Sequence, residues 1–530
     1  MSDASFDLDL GGPVGKRESK WAQATAWVDD RLNPVLVKEV RQSLRGKQFR
    51  SAFLYTVIMS LIVAVAIVLL NSGRAEWNPI GPSFFQGIFI CLTIAVIGFV
   101  PMSAFTAMGA EWEENTYDLL ILSHLRPRHI VIGKLLGAGA QALLYFSVFS
   151  PYIVFTFLLG GVDLKLVMVT LPMLAVISLA LSALAAGLSS LTDKRMGRVF
   201  LMVLLSAALV GACSAAISMM LATLELGLDF SSDEVQFGIT AILLLALIVG
   251  GFAVAIAVAR LSHPEENRST GLRVLTFVLA MTCLAWVWWA NSYIRQPEFV
   301  AFMTSLIIIG VMVLGLFFAT EREALGLRVK NHLPNNPLLR AFAFPWLPGG
   351  ARGAVWVLLT LGITSLFSWT MIQSSAFPGF RSASVQANPR VILALVSYGV
   401  FYLFVPSALF TNKTKRLQRS TLARVMVPAL LLGGLLFPTM LGFIFGSRDL
   451  VRADHLGNPF IQVSRIYDGE GEFELILALG VLGLILQIPR VVRAIREVVR
   501  APHAGGLATL GTGVASGRVS DPLEEVDSDA

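Results

Sequence analysis

Charged residues and cysteines are both scarce in this chain. Asp, Glu, Lys and Arg make up only 14% of its 530 residues, against about 25% in a typical soluble domain. Its cysteines, Cys91, Cys213 and Cys283, all lie inside apolar segments, where a thiol behaves as a small hydrophobic group. The scarcity of charge excludes an ordinary soluble enzyme and a disordered protein. The cysteine positions indicate neither a disulfide framework nor a metal site.

Motifs for catalysis and for nucleotide binding are missing as well. The six histidines fall in loops or in the tail, and none forms the HExxH pair of a zinc protease. The nearest approach to a phosphate loop is GGPVGKR at 11–17, but three residues rather than four separate Gly11 from Gly15. In addition, Arg17 stands where a Ser or Thr would bind magnesium. We therefore expect no enzymatic activity, no catalytic residue, no cofactor and no metal in this chain.

Long apolar runs are what the sequence has instead. Hydrophobic residues make up 55% of the chain and the mean hydropathy is +0.72, and the apolar runs are about twenty residues long, as a membrane span requires. We predict an all-α integral membrane protein with about twelve transmembrane helices. The predicted spans are 51–71, 83–109, 131–160, 166–190, 199–222, 237–259, 274–294, 299–319, 353–374, 391–411, 425–447 and 473–489.

The positions of the basic residues predict an orientation for these spans. Most of the 41 lysines and arginines lie before the first span, in alternate connections and after the last span. Because cytoplasmic segments carry the excess of Lys and Arg, both termini are expected in the cytoplasm. The basic residues thus interact with the lipid bilayer, and we expect no nucleic acid partner. The expected location is a bacterial inner (cytoplasmic) membrane, crossed several times.

A short amphipathic segment, NPVLVKEVRQSLRGKQFR at 33–50, precedes the first span. In a helix, Leu36, Val40 and Leu44 fall within one apolar sector and the basic residues fall on the adjacent one. This pattern is typical of a helix that lies along the membrane surface. The alternative is a basic flank of the first span that merely happens to be helical. The predicted interfacial helix comprises Asn33, Pro34, Leu36, Lys38, Glu39, Val40 and Arg41.

The connection between the second and third spans reads EWEENTYDLLILSHLRPRHIVIGKLLGA from 111 to 138. It resembles the coupling loop of ABC-transporter permeases of the type-2 exporter class, and NPVLVKEVRQ is similar to the interfacial helix of such permeases. The chain departs from the loop pattern at Asn115, His124 and His129. The positions that match are Glu111, Glu113, Thr116, Asp118, Leu119, Leu120, Ser123, Leu125, Arg128, Ile130, Gly133 and Lys134.

The resemblance implies a non-catalytic permease subunit that is driven by a separate ABC ATPase subunit docked on this loop. A second permease copy is also a candidate partner. The docking residues implied are Glu111, Glu113, Thr116, Asp118, Leu119, Leu120, Ser123, Gly133 and Lys134. The alternative for the loop is a solvated amphipathic helix without a partner.

The sequence is also compatible with two other functions. The first is a twelve-span secondary transporter of the major-facilitator kind, although this loop lacks the Gly-x-x-x-Asp-Arg-x-Gly turn of that family and no predicted span carries Asp or Glu in its middle. An ion-coupled carrier usually needs such a residue. The second is an integral-membrane enzyme acting on lipid-linked substrates, for which only the acids at 111–118 offer a site.

The predicted organisation has four parts. Residues 1–50 form a cytoplasmic tail with the interfacial helix, 51–260 a six-span permease half with the coupling loop at 110–130, 261–490 a second six-span half, and 491–530 a disordered cytoplasmic tail. The segment ATEREALGLRVKNHLP at 319–334, with Glu321 and Glu323, loosely echoes the coupling loop. This echo favours an internal duplication. The alternative is a six-span permease with an unrelated membrane extension.

Overall fold

The structure is a computed structural model and consists of helices and their connections. It describes residues 34–71, 80–113, 127–192, 195–227, 232–262, 268–321, 323, 325–326, 329–330, 333–334, 336–375, 383–411, 420–445, 454–469 and 471–499. No strand occurs among these residues. A helix satisfies its own backbone hydrogen bonds, which is what a segment in lipid requires.

By its contacts, the chain divides into two compact units, residues 1–228 and 229–530. The helices of the first unit are α1 (Pro34–Arg45), α2 (Lys47–Asn71), α3 (Gly81–Thr93), α4 (Val100–Glu113), α5 (Pro127–Leu158), α6 (Leu164–Ser189) and α7 (Arg195–Leu226). In this unit α1 packs on α5, and α4 packs on α6. The π-helical segment Ile94–Phe99 joins α3 to α4, so that the two form one continuous helix.

The second unit contains nine described helices. They are α8 (Asp233–Leu261), α9 (Arg268–Ile294), α10 (Pro297–Ala319), α11 (Pro337–Ala343), α12 (Gly350–Ser375), α13 (Ala383–Thr411), α14 (Ser420–Phe445), α15 (Pro459–Tyr467) and α16 (Phe473–Val499). The most extensive contacts join α13 to α16 and α10 to α12. Short 3-10 turns precede α12 and α15.

Eleven helices of the described chain are long and apolar enough to cross a membrane. They confirm that the described part of the chain is all-helical and has the architecture of a multi-pass integral membrane protein. The predicted span at 425–447 falls on α14, whose described apolar stretch, Leu422–Leu436, is shorter than the others. The count of twelve and the cytoplasmic location of both termini therefore stay predictions. The tails at 1–33 and 500–530 lie outside the described residues.

The division by contacts follows α7, whereas the predicted permease halves meet at residue 260. Contacts therefore group α8, the predicted sixth span, with the second unit. Such grouping reports packing and does not test whether the two halves arose by duplication. The domain organisation and the duplication stay predictions.

Dense packing inside each unit comes from aromatic and small side chains. In the second unit, the fully buried Trp356 lies edge-on to Phe318, with ring centroids 5.0 Å apart. In the first unit, Ala183, Ala185 and Ala186 of α6 are buried where the sequence has a run of small residues. Small side chains allow helices in lipid to approach closely.

Candidate functional site

The predicted docking residues fall in three structural classes. Glu111 and Glu113 belong by their backbone to the last turn of α4, and Gly133 and Lys134 are buried near the start of α5. The remaining docking residues lie outside the described part of the chain, and the docking role of the whole set stays a prediction. These remaining residues are Thr116, Asp118, Leu119, Leu120 and Ser123.

The predicted interfacial segment coincides with helix α1. Val40 is half-buried and Arg41 is exposed, whereas Asn33 lies just before the first described residue. The location of α1 on a membrane surface stays a prediction. The predicted residues whose backbone belongs to α1 are Pro34, Leu36, Lys38, Glu39, Val40 and Arg41.

A chain of hydrogen bonds joins α1, α4 and α5, and we call this arrangement the α1–α4–α5 frame. The Gln141 Nε2 of α5 donates to the carbonyl of Ser43 on α1 over 3.1 Å. The Oε1 of the same amide accepts from the Ser103 hydroxyl of α4 over 2.5 Å. Because Gln141 is buried, losing either partner would leave a polar group unsatisfied. One side chain therefore holds three helices together.

A buried lysine adds a second connection within the frame. Lys134 is 6% exposed, and its Nζ donates to the carbonyl oxygen of Ala107 over 3.1 Å. A buried ammonium group is stable only when it is hydrogen-bonded. This contact ties the first turns of α5 to the last turns of α4, which are the two ends of the connection at 114–126. The rings of Phe49 and Tyr145, from α2 and α5, pack edge-on with centroids 5.9 Å apart.

A second polar cluster lies in the second unit, where helix ends meet the connection at 320–349. We call it the Arg–Glu cluster. Arg273 and Arg352 are fully buried and Arg490 is 4% exposed, which is rare for charged side chains unless they are paired. The members of the cluster are Arg273 of α9, Arg352 of α12, Arg490 and Glu497 of α16, and Glu321 and Glu323 of the connection.

Each arginine of the cluster pairs with one glutamate. Arg273 Nη2 lies 2.6 Å from Glu321 Oε2, and Arg490 Nη2 lies 2.6 Å from Glu323 Oε1. Arg352 Nη2 lies 2.7 Å from Glu497 Oε2. The formal charges of these six side chains cancel, and Lys330 Nζ also lies 3.2 Å from Glu497 Oε1. Such pairing offsets the cost of removing the guanidinium groups from water, and removal of one partner would leave that cost uncompensated.

The two glutamates of the connection also cap a helix. Glu321 Oε2 accepts from the backbone N–H of Gly349, and Glu323 Oε2 accepts from that of Ala351, both over 3.1 Å. These N–H groups lie at the start of α12, where the first turn has no intrahelical acceptor and the helix dipole favours negative charge. Each carboxylate thus bridges an arginine and the same helix N-terminus.

Glycines make the close approach of α12 to α10 possible. A Cβ atom at position 353 would lie 2.1 Å from the carbonyl oxygen of Phe318, and one at position 350 would lie 2.7 Å from that of Ala319. Gly349 has a φ of 129°, which a residue with a side chain rarely adopts. The glycines of PGGARG at 348–353 therefore bring Arg352 into the interior while the backbone packs closely.

The Arg–Glu cluster continues into the bundle through buried amide and hydroxyl groups. Arg490 Nη1 donates to Gln487 Oε1 over 3.0 Å. The Gln487 Nε2 in turn donates to the Ser407 hydroxyl over 2.6 Å and to the Phe404 carbonyl over 2.9 Å. These groups lie between α13 and α16, the most extensively packed helix pair. The cluster is therefore anchored to the core of the second unit.

The sequence predictions found only part of this site. The sequence pattern singles out Glu321 and Glu323 as an echo of the first loop but does not single out Arg273, Arg352 or Arg490. These arginines lie next to the ends of apolar runs, as many other basic residues do. The signal that could have separated Arg352 from a flank is its place among three glycines at the start of a span. The described residues contain no group of His, Cys, Asp or Glu that could hold a metal ion. With its charges paired, the cluster is suited to holding helices together.

Comparison with known proteins gives no relative. No family pattern, no curated protein and no solved structure matches this chain.

Proposed function

We propose that this chain is the non-catalytic, membrane-spanning permease subunit of an ATP-driven exporter of the type-2 ABC class. In this proposal it has twelve spans with both termini in the cytoplasm of a bacterial cell. A separate ATPase subunit docks on the connection at 110–130, and a second permease copy is a candidate partner. The multi-pass helical architecture and the residue pattern at 111–134 support the proposal.

The α1–α4–α5 frame is the observation that carries the proposal furthest. An ATPase in the cytoplasm can move membrane helices only through an element that transmits force without deforming. Lys134 and Ala107 tie the two ends of the docking connection to each other, and Gln141 ties both helices to α1. A displacement of the connection would therefore move α4, α5 and α1 as one body.

The test of docking uses two substitutions in the connection. Glu113→Lys reverses a charge and Leu120→Asp removes an apolar anchor, and each should reduce co-purification of the ATPase at matched membrane abundance. Reversal of one interfacial charge typically costs a few kcal/mol, on the order of a hundredfold in affinity. Glu474→Lys is the control, because this exposed acid begins α16 on the side predicted to face away from the cytoplasm. Undiminished capture by both variants would contradict the docking role.

The orientation needs its own test. In a background without Cys91, Cys213 and Cys283, single cysteines at the exposed positions Asp233 and Tyr467 should react with an impermeant maleimide from outside the cell. Single cysteines at the exposed positions Lys47 and Arg496 should react only after the membrane is opened. Reversed labelling of either pair would mean that the span count or the orientation is wrong.

Energy supply separates this proposal from the secondary carrier. The purified chain should neither bind nor hydrolyse ATP, and a gene for a Walker-motif ATPase should lie beside its own gene. Transport by the intact cell should then survive collapse of the proton and sodium gradients while ATP is maintained. Transport that stops with the gradients and needs no ATPase would favour the major-facilitator alternative.

A further inference from the structure

An apolar cavity of about 430 Å³ lies between α8, α9 and α10 of the second unit. Its wall is formed by residues within 241–252 of α8, 276–287 of α9 and 303–314 of α10. The buried Leu279 and Val287 of α9 form its floor, whereas Leu245 of α8 and Leu306 of α10 are 60% and 49% exposed. Protein interiors rarely leave voids larger than a water molecule. This cavity is therefore a groove that opens outward between two spans.

The polar groups of the wall already have partners. The Thr276 hydroxyl donates to the Leu272 carbonyl of its own helix over 2.7 Å. The Trp286 indole N–H donates to the Thr240 hydroxyl over 3.2 Å. The rest of the wall consists of aliphatic, aromatic and sulfur-containing side chains with Gly310. A ligand of this groove would therefore gain contact energy from apolar surface rather than from hydrogen bonds.

The groove lies in the middle of the three spans. Each stretch of the wall is separated from either end of its helix by at least five residues, or roughly 8 Å of helix. Towards the start of α8 and α10, Phe237, Trp286 and Phe299 form an aromatic cluster that joins the three helices, with Phe237 and Trp286 centroids 4.8 Å apart. This aromatic cluster closes one end of the groove. The groove stays open sideways, at the depth of the hydrocarbon core.

The size of the groove limits what can occupy it. A helix about 10 Å in diameter laid along the same twelve residues would need roughly 1,400 Å³, more than three times the volume present. A transmembrane helix of a partner or of a second copy therefore does not fit inside the groove and could only pack across its opening. A single flexible hydrocarbon chain has the slender shape and the apolar character that the wall requires.

We propose that this groove is a binding site for one acyl chain of an amphiphile that enters from the surrounding bilayer. The polar head of the amphiphile would stay at the membrane surface, about 15 Å from the middle of the hydrocarbon core. The chain would lie on Leu279 and Val287, between α8 and α10. Binding of an acyl chain in this groove of the second unit would not require the ATPase.

Photo-crosslinking of the full-length protein in lipid nanodiscs tests the site. The probe is a phosphatidylcholine with a diazirine in the middle of one acyl chain, and the crosslinked peptides are mapped by mass spectrometry. In the unaltered protein, adducts should concentrate within 241–252, 276–287 and 303–314. Adducts spread evenly over the exposed faces of α2 and α7 as well would overturn the proposal.

One substitution should fill the groove without disturbing the fold. A Cβ atom at Gly310 meets no other atom within 4 Å, and the residue lies on the wall, so Gly310→Phe should place its ring in the groove. Adducts at the groove should fall at least fivefold. Gly362→Phe is the matched control, because Gly362 is equally open, exposed and within a span, but lies on α12 away from the wall. Equal labelling of both variants at the groove would overturn the proposal.

A second probe identifies the source of the chain. A free fatty acid with the same diazirine should compete with the phospholipid if the site recognises the acyl chain alone, and it should fail to compete if the phospholipid head also contributes. Both results support the site and assign it to free amphiphiles or to bilayer lipid respectively. Crosslinks at the groove that join this chain to another polypeptide instead of to lipid would overturn it.

Discussion

The α1–α4–α5 frame and the Arg–Glu cluster both join helices to one another, but they use different chemical groups. Each joins helices that flank the connection following the second span of a predicted half. The frame uses an amide, hydroxyl groups, carbonyls and one ammonium group, whereas the cluster uses three arginine–carboxylate pairs. Glu321 and Glu323 already form ion pairs and accept backbone hydrogen bonds within their own unit. They are therefore poorly placed to bind a partner. Within the proposed function, docking of the ATPase is therefore assigned to the acids at 111–118 rather than to Glu321 and Glu323.

The largest expected effect comes from breaking the Arg–Glu cluster. Glu497→Leu should lower the stability of the second unit by about 3 kcal/mol or more, because it leaves the fully buried Arg352 guanidinium without its carboxylate. The thermal unfolding midpoint of the purified protein in detergent should fall clearly. Arg496→Leu, on the exposed face of the same helix as Glu497, should change it little. Equal midpoints for the two variants would mean that the cluster does not stabilise the unit.

Next in size is the effect of a methyl group at the glycine contact. Gly353→Ala would place a Cβ atom 2.1 Å from the Phe318 carbonyl and should cost about 1–3 kcal/mol, as overpacking does. Gly362→Ala, in an open position of the same helix, should be neutral or should stabilise by up to about 1 kcal/mol through helix propensity. Thermal unfolding of both variants checks the pair. A tolerated alanine at 353 would show that α10 and α12 are less closely packed than described.

A smaller effect is expected in the first unit, where the joining groups are neutral. Gln141→Leu should cost about 1–2 kcal/mol, because it leaves the Ser43 carbonyl and the Ser103 hydroxyl without this partner. Hydrogen exchange of the α1 backbone should accelerate by roughly five- to thirtyfold. Gln42→Leu, an exposed position on α1, is the control. Unchanged exchange in Gln141→Leu would show that α1 is held by apolar contacts alone.

The smallest effect should come from a single hydroxyl at the π-helical segment. Ser178 of α6 donates to the Val96 carbonyl over 2.6 Å, and Ser178→Ala should cost about 1 kcal/mol. Ser214→Ala is the control, since the Ser214 hydroxyl is exposed and bonds only to Val210 of its own helix among the contacts described. The difference between the two unfolding midpoints isolates the bond between α6 and the π-helical segment.

Sequence patterns predicted the helices far better than the contacts between them. Apolar runs about as long as the bilayer is thick are a direct signal, so the eleven long apolar helices follow predicted spans closely. The frame and the cluster depend on pairs such as Ser43 with Gln141, or Arg352 with Glu497, that lie 98 and 145 residues apart. No periodicity in a single sequence links such positions. Arg352 and Arg490 also look like any basic residue at the end of a span, and only packing distinguishes them.

The π-helical segment at Ile94–Phe99 fixes the direction in which the chain leaves α4. A π-helical turn amounts to one extra residue within an α-helix, and each residue of an α-helix turns the chain by about 100°. Removing one residue there would restore a regular helix and rotate everything beyond it by about that angle. The backbone at Glu113, roughly 20 Å further along the axis, would then point to a different side of the bundle. The direction in which the chain enters the connection at 114–126 is thus set in the middle of a candidate membrane span, far from the connection itself.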